Sequence, residues 1–442
     1  MLYLFVITLI FITFTIPFFI GSAKFGFNNY TILVSTTFLQ LFLRNFFMYF
    51  DLPNQDYVNR VLLLGNSLES FFPTAIIFLI LTIIFVLSFI FFTNILNAPA
   101  LDHFRVIKYE PRDNLILIST SCVALISLYI LSKFISDFGL EMISTYRGVS
   151  NDLNSYSASG IQRTFIQMSS VNFFIALSYS WKSNNFKTYF RIIAIISAFI
   201  FVFYAIYTSS RASIIVFFIS YLALSSLSNQ KISYRIYFSV FGVMSIIFLA
   251  MTYLRLTFRN KIEFTDFFQS IKDVFLYIIV NNGGLDIPKL KFLMDYVIVN
   301  ADFRYGAFLL NTILLYIPRT LWPSKPVNID TEFGFAVYGT YSYGSGGVPP
   351  TVFGEFFWDF AWIGLILASI LSAYLIVMGD KILLKYKNVI FIKVIFVSGF
   401  LYMGWGVLGS SFSSFFNGAT LKAATIFIIF YLAFIRFNKN YS

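Results

Sequence analysis

The sequence predicts an all-α integral membrane protein, and two observations carry this prediction. Of its 442 residues, 58% are hydrophobic and only 12% are charged, which is about half the charged share of a typical soluble domain. The apolar residues come in blocks of about twenty, the length that crosses a hydrocarbon layer of roughly 30 Å as a helix. Backbone polar groups in lipid must be satisfied within the segment, which favours helices. We therefore expect a polytopic helical bundle.

Hydropathy predicts about 11 transmembrane helices, within a range of about 10 to 12. The predicted spans are 2–20, 31–50, 71–96, 115–135, 164–181, 192–207, 212–227, 236–254, 360–378, 394–411 and 419–435. The first is interpreted as a span and not as a removed signal peptide, because it lacks a basic n-region and a small-residue cleavage site.

Basic residues in the short loops predict the orientation. On this topology the Lys- and Arg-containing segments 97–114, 182–191, 228–235 and 379–393, together with the C-terminal tail, all fall on one side, which we assign to the cytoplasm. The N-terminus is then outside and the C-terminus inside. A net charge of +11 fits this arrangement and is no argument for nucleic-acid binding.

The predicted organisation has three parts. Residues 1–254 form a transmembrane bundle of the first eight spans, 255–359 form one large external loop, and 360–442 hold the last three spans and the tail. Within the loop, the apolar stretches 274–280 and 305–317 are too short to span. They are re-entrant helices, interfacial helices or core helices of an external subdomain, and the sequence leaves these alternatives open.

The single cysteine, Cys122, excludes an internal disulfide framework and a cysteine metal site. The only histidine, His103, falls in a predicted cytoplasmic loop. No cluster of metal-ligand residues is evident, so neither a metal nor a cofactor is expected.

Arg211 is the only charged residue in the run 192–227. A single helix of that length would be roughly 54 Å long, too long for a bilayer, so the run must fold back. The turn 208–213 then places Arg211 at the outer membrane surface, at the height of a lipid phosphate. The alternative is that Arg211 only snorkels to head groups.

Arginine is concentrated on the predicted outer side. Its outer members are Arg44, Arg60, Arg147, Arg163, Arg211, Arg255, Arg259, Arg304 and Arg319. A guanidinium stays charged and binds phosphate through two parallel hydrogen bonds, which suits a pyrophosphate substrate. Arg255 and Arg259 are spaced i, i+4 and so share one face if the eighth span continues outward.

The stretch 316–364 combines acids, bases and aromatic residues. Its members are Arg319, Trp322, Lys325, Asp330, Glu332, Tyr338, Tyr341, Tyr343, Glu355, Trp358 and Asp359. Flat aromatic rings beside charged groups suit sugars, which have apolar C–H faces and polar rims. The alternative is an ordered loop with an aromatic membrane girdle at Trp358 and Trp362.

The same stretch resembles the Wzy-type O-antigen and capsular repeat-unit polymerases. The resemblance lies in Ile317-Pro318-Arg319 leading to Trp322-Pro323-Ser324-Lys325-Pro326, then Gly346-Gly347-Val348-Pro349-Pro350, Gly354-Glu355, and Phe360 and Gly364 opening a span. Ser210-Arg211 after an apolar span is a second, weaker match. About fifty residues carry the specific part, and elsewhere only hydropathy agrees.

The resemblance implies an integral glycosyltransferase in the bacterial inner membrane, with its active face in the periplasm and its C-terminus in the cytoplasm. The donor would be a growing glycan on undecaprenyl pyrophosphate and the acceptor a single repeat unit on a second such lipid. Partners in that family are the lipid bilayer, a chain-length regulator and a flippase. No nucleotide sugar, metal or nucleic acid is expected.

Such a transfer needs a base for the acceptor hydroxyl and cations for the departing pyrophosphate. We expect Glu355, at the point where the loop re-enters the membrane, to be the base, with Asp330 and Glu332 as rivals. Arg211 and Arg319 are the expected catalytic cations. The expected substrate-binding residues are Arg147, Arg163, Arg255, Arg259, Trp322, Lys325, Tyr341 and Tyr343.

Two other functions compete. An O-antigen ligase shares the spans, loop and arginines, but ligases typically carry a histidine in the outer loop, where this sequence has none. A lipid-linked oligosaccharide flippase or transporter tends to show pseudo-symmetric halves and charged or broken mid-membrane helices. Here the spans are nearly free of charge and one large loop breaks any symmetry.

Overall fold

The computed structural model describes residues 1–50, 66–101, 111–138, 153–208, 211–230, 287–314, 329–338, 349–399 and 410–435, together with Trp322 and scattered positions between 238 and 251. Within these residues the regular structure is helical. The helices are α1 (Leu2–Phe19), α2 (Asn29–Tyr49), α3 (Phe72–Ile95), α4 (Asp113–Phe138), α5 (Leu153–Lys182), α6 (Lys187–Tyr207), α7 (Arg211–Leu227), α8 (Ile287–Asn300), α9 (Ala307–Leu314), α10 (Ile329–Tyr338), α11 (Thr351–Lys385), α12 (Ile390–Ser398) and α13 (Phe412–Ile435).

Seven helices of the described part are long and apolar enough to cross a membrane: α1, α2, α3, α4, α6, α11 and α13, with α3 counted from Leu68. The helical membrane class is thereby confirmed. The predicted span 212–227 lies in the shorter apolar helix α7, and 164–181 lies within α5. The predicted spans 236–254 and 394–411 fall largely outside the described residues.

The chain divides into two compact units, each assembled from separate stretches. Unit 1 comprises Met1–Asn97, Phe264–Lys381 and Leu401–Asn417, and unit 2 comprises Ala98–Glu263, Ile382–Phe400 and Gly418–Ser442.

In unit 1, contacts along the helices fix their directions. Phe14 of α1 packs on Phe85 of α3, and Tyr3 near the start of α1 donates its backbone N–H to Glu69 just before α3. These two helices are therefore parallel. Tyr3 also donates its hydroxyl to Asn45 near the end of α2, so α2 is antiparallel to both.

Helix α11 runs in the same direction as α3. Phe353 near its start packs on Phe78, and Tyr374 packs on Phe92 further along both helices. The starts of α1, α3 and α11 thus lie at one end of unit 1. We call this the loop end, since α8 packs there as well, with Phe292 against Phe71.

Two consecutive side chains near the end of α11 anchor neighbouring helix termini. Asp380 accepts the backbone N–H of Asn29 at 2.9 Å, at the start of α2. Lys381 donates to the carbonyl of Thr93 at 2.7 Å and to that of Leu96, at the end of α3. An acid at a helix N-terminus and a base at a C-terminus both match the helix dipole, so one turn of α11 fixes two helix ends.

Helix α2 contains a π-helical stretch, Thr37–Leu43. Its buried polar side chains recur every four residues, at Thr36, Gln40 and Arg44. In an α-helix that spacing drifts by about 40° per step, which would carry the third residue away from the interior. The wider π turn offsets the drift, so a polar stripe stays buried, with Arg44 only 3% exposed.

In unit 2, helices α4, α5 and α6 pack side by side in alternating directions. Ser127 of α4 donates to the carbonyl of Phe165 in α5. Asn172 of α5 is fully buried and donates to the carbonyl of Thr120 at 2.9 Å and to Ser197 of α6 at 3.0 Å. Because lipid-facing helices gain little from apolar contact with one another, such polar contacts help to fix their register.

Candidate functional site

The candidate site lies at the loop end of unit 1, in the first turns of α11. This helix is interrupted at Phe360 and Ala361, whose backbone angles are non-helical. The segment before the interruption, 351–359, carries Glu355, Trp358 and Asp359. The kink coincides with position 360, where the sequence predicted the ninth span to begin.

Strained backbone surrounds this segment. Thr351 and Ala361 at its two ends have φ of 72° and 53°, and Ala301 and Tyr305 in the α8–α9 connection have φ of 50° and 51°. Each such non-glycine residue costs on the order of 1–3 kcal/mol and persists only where the surroundings enforce it. Strain of this kind clusters at functional sites, which favours the loop end as such a site.

Gly364 shows how tight the kink is. A Cβ atom at this position would lie 1.8 Å from the carbonyl oxygen of Phe356. Only glycine leaves room for the backbone to pass there. The close approach of the Phe356 carbonyl therefore explains why residue 364 is a glycine in this chain.

Glu355 is completely buried. Its carboxylate accepts the backbone N–H of Ser413 at 3.1 Å and also the hydroxyl of Ser413. The Ser413 hydroxyl lies 2.5 Å from that of Thr312 in α9, so a carboxylate and two hydroxyls form one hydrogen-bonded row. Since Ser413 lies in the first turn of α13, Glu355 caps a helix N-terminus, where backbone N–H groups have no partner within the helix.

Asp359 holds a second helix start. It is also completely buried and accepts the backbone N–H groups of Phe308 and Leu309, at 3.2 and 3.1 Å. These belong to the first turn of α9, whose N–H groups have no partner within the helix. Two carboxylates four residues apart in α11 thus cap two different helices.

Asp330, in the first turn of α10, is held by serines at the start of α13. Ser411 donates its hydroxyl to one carboxylate oxygen at 2.6 Å and Ser414 donates to the other at 2.5 Å. Ser411 also accepts the backbone N–H of Ser414, as a helix N-cap does. Desolvation raises the pKa of Asp330, although both serines and the buried Lys289 of α8 oppose the shift.

Glu332 keeps 26% of its side chain exposed, and it pairs with Arg304, which is 37% exposed. Arg304 also contacts Asp302 at 3.1 Å. Desolvation raises the pKa of Glu332, and the Arg304 guanidinium works against that rise. The pair is an acid and a cation that solvent can reach.

The guanidinium of Arg304 packs against two aromatic rings. Its guanidinium carbon lies 5.7 Å from the ring centre of Trp358 and 5.8 Å from that of Phe308. Its backbone N–H donates to the carbonyl of Trp358 at 2.9 Å. Trp358 is completely buried, so it is not part of an aromatic membrane girdle, whereas Trp362 is half exposed as a girdle residue would be.

The structure thus brings together Glu355, the two rival acids Asp330 and Glu332, and Asp359. Trp322 is described and half-buried. Arg211 is the first residue of α7 and Arg163 lies in α5, both in unit 2, but their side chains are not described. The remaining predicted residues, Arg147, Arg255, Arg259, Arg319, Lys325, Tyr341 and Tyr343, lie outside the described residues.

The sequence did not predict that Ser411, Ser413 and Ser414 would bind the acids of the site. It also did not predict that Arg304 would pair with Glu332. Residues 410–414 read Ser-Ser-Phe-Ser-Ser before an apolar run, which is a helix-start signal. The predicted span 394–411 ended within this stretch and the next predicted span began at 419, whereas α13 begins at Phe412. Among the described residues, no group of three or more His, Cys, Asp or Glu side chains is arranged to hold a metal ion.

Comparison with known proteins adds no relative. No family model matches the chain, and no match was found among curated proteins or solved structures.

Proposed function

We propose that the protein is a membrane glycosyltransferase that polymerises undecaprenyl-pyrophosphate-linked oligosaccharide repeat units into a surface polysaccharide at the periplasmic face of the bacterial inner membrane. The observation that carries the proposal is the partly exposed pair Glu332–Arg304 at the loop end of unit 1. It lies beside α11, whose first turns belong to the stretch that resembles the repeat-unit polymerases. The resemblance and this geometry support the proposal together.

The proposal assigns the base to Glu332 instead of Glu355. A base must reach the proton that it removes. Glu355 has no exposed surface and is occupied by Ser413, and Asp330 is occupied by two serines. Glu332 is partly exposed, and desolvation raises its pKa towards the range in which a base works well.

In the proposed step, the acceptor hydroxyl oxygen attacks the anomeric carbon of the donor glycan. The bond from that carbon to the pyrophosphate oxygen breaks, and its electron pair leaves with undecaprenyl pyrophosphate. Glu332 takes the hydroxyl proton. Arg319 is the proposed cation for the leaving pyrophosphate, because guanidinium groups stabilise such developing charge. Arg211 is a candidate cation from the sequence alone. Glu355 and Asp359 act as positioning residues that hold the starts of α13 and α9.

The test is the size distribution of the surface polysaccharide in a host that lacks the gene, complemented by variants. We expect deletion to collapse the glycan ladder to a single repeat unit on its acceptor. Glu332→Gln, Arg211→Ala and Arg319→Ala should fail to restore the ladder while the protein still accumulates. The matched control is Glu69→Gln, a half-exposed glutamate at the same end of unit 1, which should restore it.

Three outcomes would overturn parts of the proposal. Long polymer that stays on undecaprenyl pyrophosphate after deletion would make the protein a ligase. An unchanged ladder after deletion would exclude polymerisation. A normal ladder with Glu332→Gln but not with Glu355→Gln would return the base role to Glu355.

A further inference from the structure

Four buried residues at the loop end of unit 1 form a row of three close oxygen–oxygen contacts, which we call the Glu355 row. A carboxyl oxygen of Glu355 contacts the hydroxyl of Ser413, which lies 2.5 Å from the hydroxyl of Thr312. The Thr312 hydroxyl lies 3.0 Å from the carbonyl oxygen of Phe308, one turn earlier in α9. The second carboxyl oxygen of Glu355 accepts the backbone N–H of Ser413 at 3.1 Å. The row thus joins α11, α13 and α9.

Each contact of the row needs one hydrogen between its two oxygens. A hydroxyl group supplies one hydrogen, so Ser413 and Thr312 supply two hydrogens for three contacts. If Glu355 is ionised, Ser413 donates to it and Thr312 donates to Ser413. The contact between Thr312 and the Phe308 carbonyl is then left without a hydrogen. If Glu355 carries a proton, Glu355 donates to Ser413, Ser413 donates to Thr312, and Thr312 donates to the carbonyl. The protonated acid therefore fills the whole row.

The same count at the neighbouring acid Asp330 gives the opposite result. Its two carboxyl oxygens contact the hydroxyls of Ser411 and Ser414, which supply two hydrogens for two contacts. The positive charge of Lys289 in α8 also acts on Asp330. An ionised Asp330 is therefore satisfied without a further proton, and the two acids at the start of α13 differ in what their partners require.

The charges around Glu355 agree with the hydrogen count. Asp330 of α10 and Asp359 of α11 interact electrostatically with it, and several negative charges close together in a buried place are unfavourable. In the part of the chain that the structure describes, no lysine or arginine forms an ion pair with Glu355. The sequence of α9 has no charged residue, and the one charged residue of α13, Lys422, lies nine positions beyond Ser413.

We infer that Glu355 is a proton-binding site, which holds one proton at neutral pH and directs the hydrogen bonds of the Glu355 row from α11 through α13 to α9. Loss of this proton reverses both hydroxyl bonds of Ser413 and removes the side-chain bond to the Phe308 carbonyl. The ring of Phe308 packs on the guanidinium of Arg304 at 5.8 Å, so the proton helps to position the start of α9 beside that cation. The inference goes beyond the proposed function, because proton binding requires neither glycan nor lipid.

Infrared spectroscopy of the purified full-length protein in lipid nanodiscs tests for the proton, because the C=O stretch of a neutral carboxyl group lies apart from the carboxylate bands. We expect Glu355→Gln to remove one such band at neutral pH. The variant should still fold, since its amide can accept the N–H of Ser413 and donate to the Ser413 hydroxyl, as a neutral Glu355 does. Glu69→Gln is the control, because this glutamate is half exposed and paired with the N-terminal ammonium. It should leave the band in place.

Two results would overturn the inference at this stage. One is a spectrum from which Glu355→Gln removes no carboxyl band. The other is failure of Glu355→Gln to accumulate while Glu69→Gln accumulates, since the amide reproduces the hydrogen bonds of the neutral acid and not those of the carboxylate.

The pH at which half of the band has disappeared tests the row itself. In Thr312→Val the protonated state loses two hydrogen bonds, from Ser413 to Thr312 and from Thr312 to Phe308, whereas the ionised state loses one. We therefore expect the midpoint to move to lower pH by about one unit, the equivalent of roughly one hydrogen bond.

Thr82→Val is the matched control. Thr82 is also buried and donates to a carbonyl one turn earlier, at 2.9 Å, but it lies in α3 outside the Glu355 row. The control should leave the midpoint in place. A midpoint that Thr312→Val leaves unchanged or moves to higher pH, or that both variants move equally, would overturn the inference.

Discussion

Glu355 forms hydrogen bonds with both the backbone N–H and the hydroxyl of Ser413, 58 positions away in the chain. The two residues join the first turns of α11 to the first turn of α13 inside unit 1. Since the side chain of Glu355 is completely buried, water cannot take its place as the partner of these two groups of Ser413.

Glu355→Ala should therefore destabilise the protein by about 1–3 kcal/mol, the usual cost of a buried donor that loses its acceptor. Glu355→Gln retains one acceptor oxygen and should lose less. The measurement is the thermal unfolding midpoint of the purified protein in detergent. Glu69→Gln is the control, because that glutamate is half exposed and such pairs contribute about 0–1 kcal/mol. Equal midpoints for Glu355→Ala and the control would contradict this role.

Asp330 should make stability depend on pH. Desolvation raises its pKa in the folded protein, so the folded state binds the proton more tightly than the unfolded state. Stability is then fully present below the unfolded pKa and is lost as pH rises through the folded value. We expect the unfolding midpoint to decrease as pH rises from the ordinary pKa of aspartate, about 3.9, through the raised pKa of the folded protein. Asp330→Asn should flatten this fall, and a slope that the variant leaves unchanged would assign it to other groups.

The kink in α11 should not tolerate a side chain at Gly364. Gly364→Ala places a methyl group 1.8 Å from the Phe356 carbonyl oxygen, so the segment that holds Glu355 and Asp359 must shift. We expect poor accumulation in the membrane, measured by fluorescence-detected size-exclusion chromatography. Gly418→Ala is the matched control, since its Cβ would meet nothing within 4 Å. In a helix that change is worth about 0.5–1 kcal/mol of added stability. Equal yields of the two variants would contradict the model of the kink.

Lys381→Met should destabilise unit 1 by about 1–2 kcal/mol, because the carbonyls of Thr93 and Leu96 lose their charged donor at the end of α3. Lys385→Met is the comparison. Its ammonium lies 3.4 and 3.3 Å from the carbonyls of Ala98 and Pro99 and is exposed, so we expect a loss of no more than about 0.5 kcal/mol. The unfolding midpoints of the two variants are compared. A lower midpoint for Lys381→Met than for Lys385→Met supports anchoring by Lys381, and equal midpoints would indicate a general effect of charge removal.

The helical membrane class and seven of the spans follow from sequence because they depend on local hydropathy. The acids of the site were also found, since Asp330, Glu332, Glu355 and Asp359 stand out in an apolar chain. The different environments of these acids were not predictable: Glu355 and Asp359 are buried, serines hold Asp330, and Glu332 pairs with Arg304. They depend on contacts such as that of Asp330 with Ser411, which are 81 positions apart.

The kink in α11 at Phe360 and Ala361 could not be predicted from the sequence for a different reason. Ala361 is a good helix former, and no local signal shows that its φ is positive here. The proposed polymerase activity and the roles of Arg211 and Arg319 stay predictions.

The π-helical stretch Thr37–Leu43 makes the effect of a length change in α2 depend on where the change occurs. A one-residue deletion within the stretch can be taken up by a return from π to α geometry, which leaves the flanking helix faces in place. A one-residue deletion in the preceding turns, Asn29–Thr36, would rotate all that follows by about 100° relative to what precedes. Arg44 and Asn45, both buried now, would then turn away from the interior, and the Tyr3–Asn45 hydrogen bond would break. Both deletions leave the hydropathy of the span almost unchanged, so hydropathy alone would not distinguish the tolerated deletion from the damaging one.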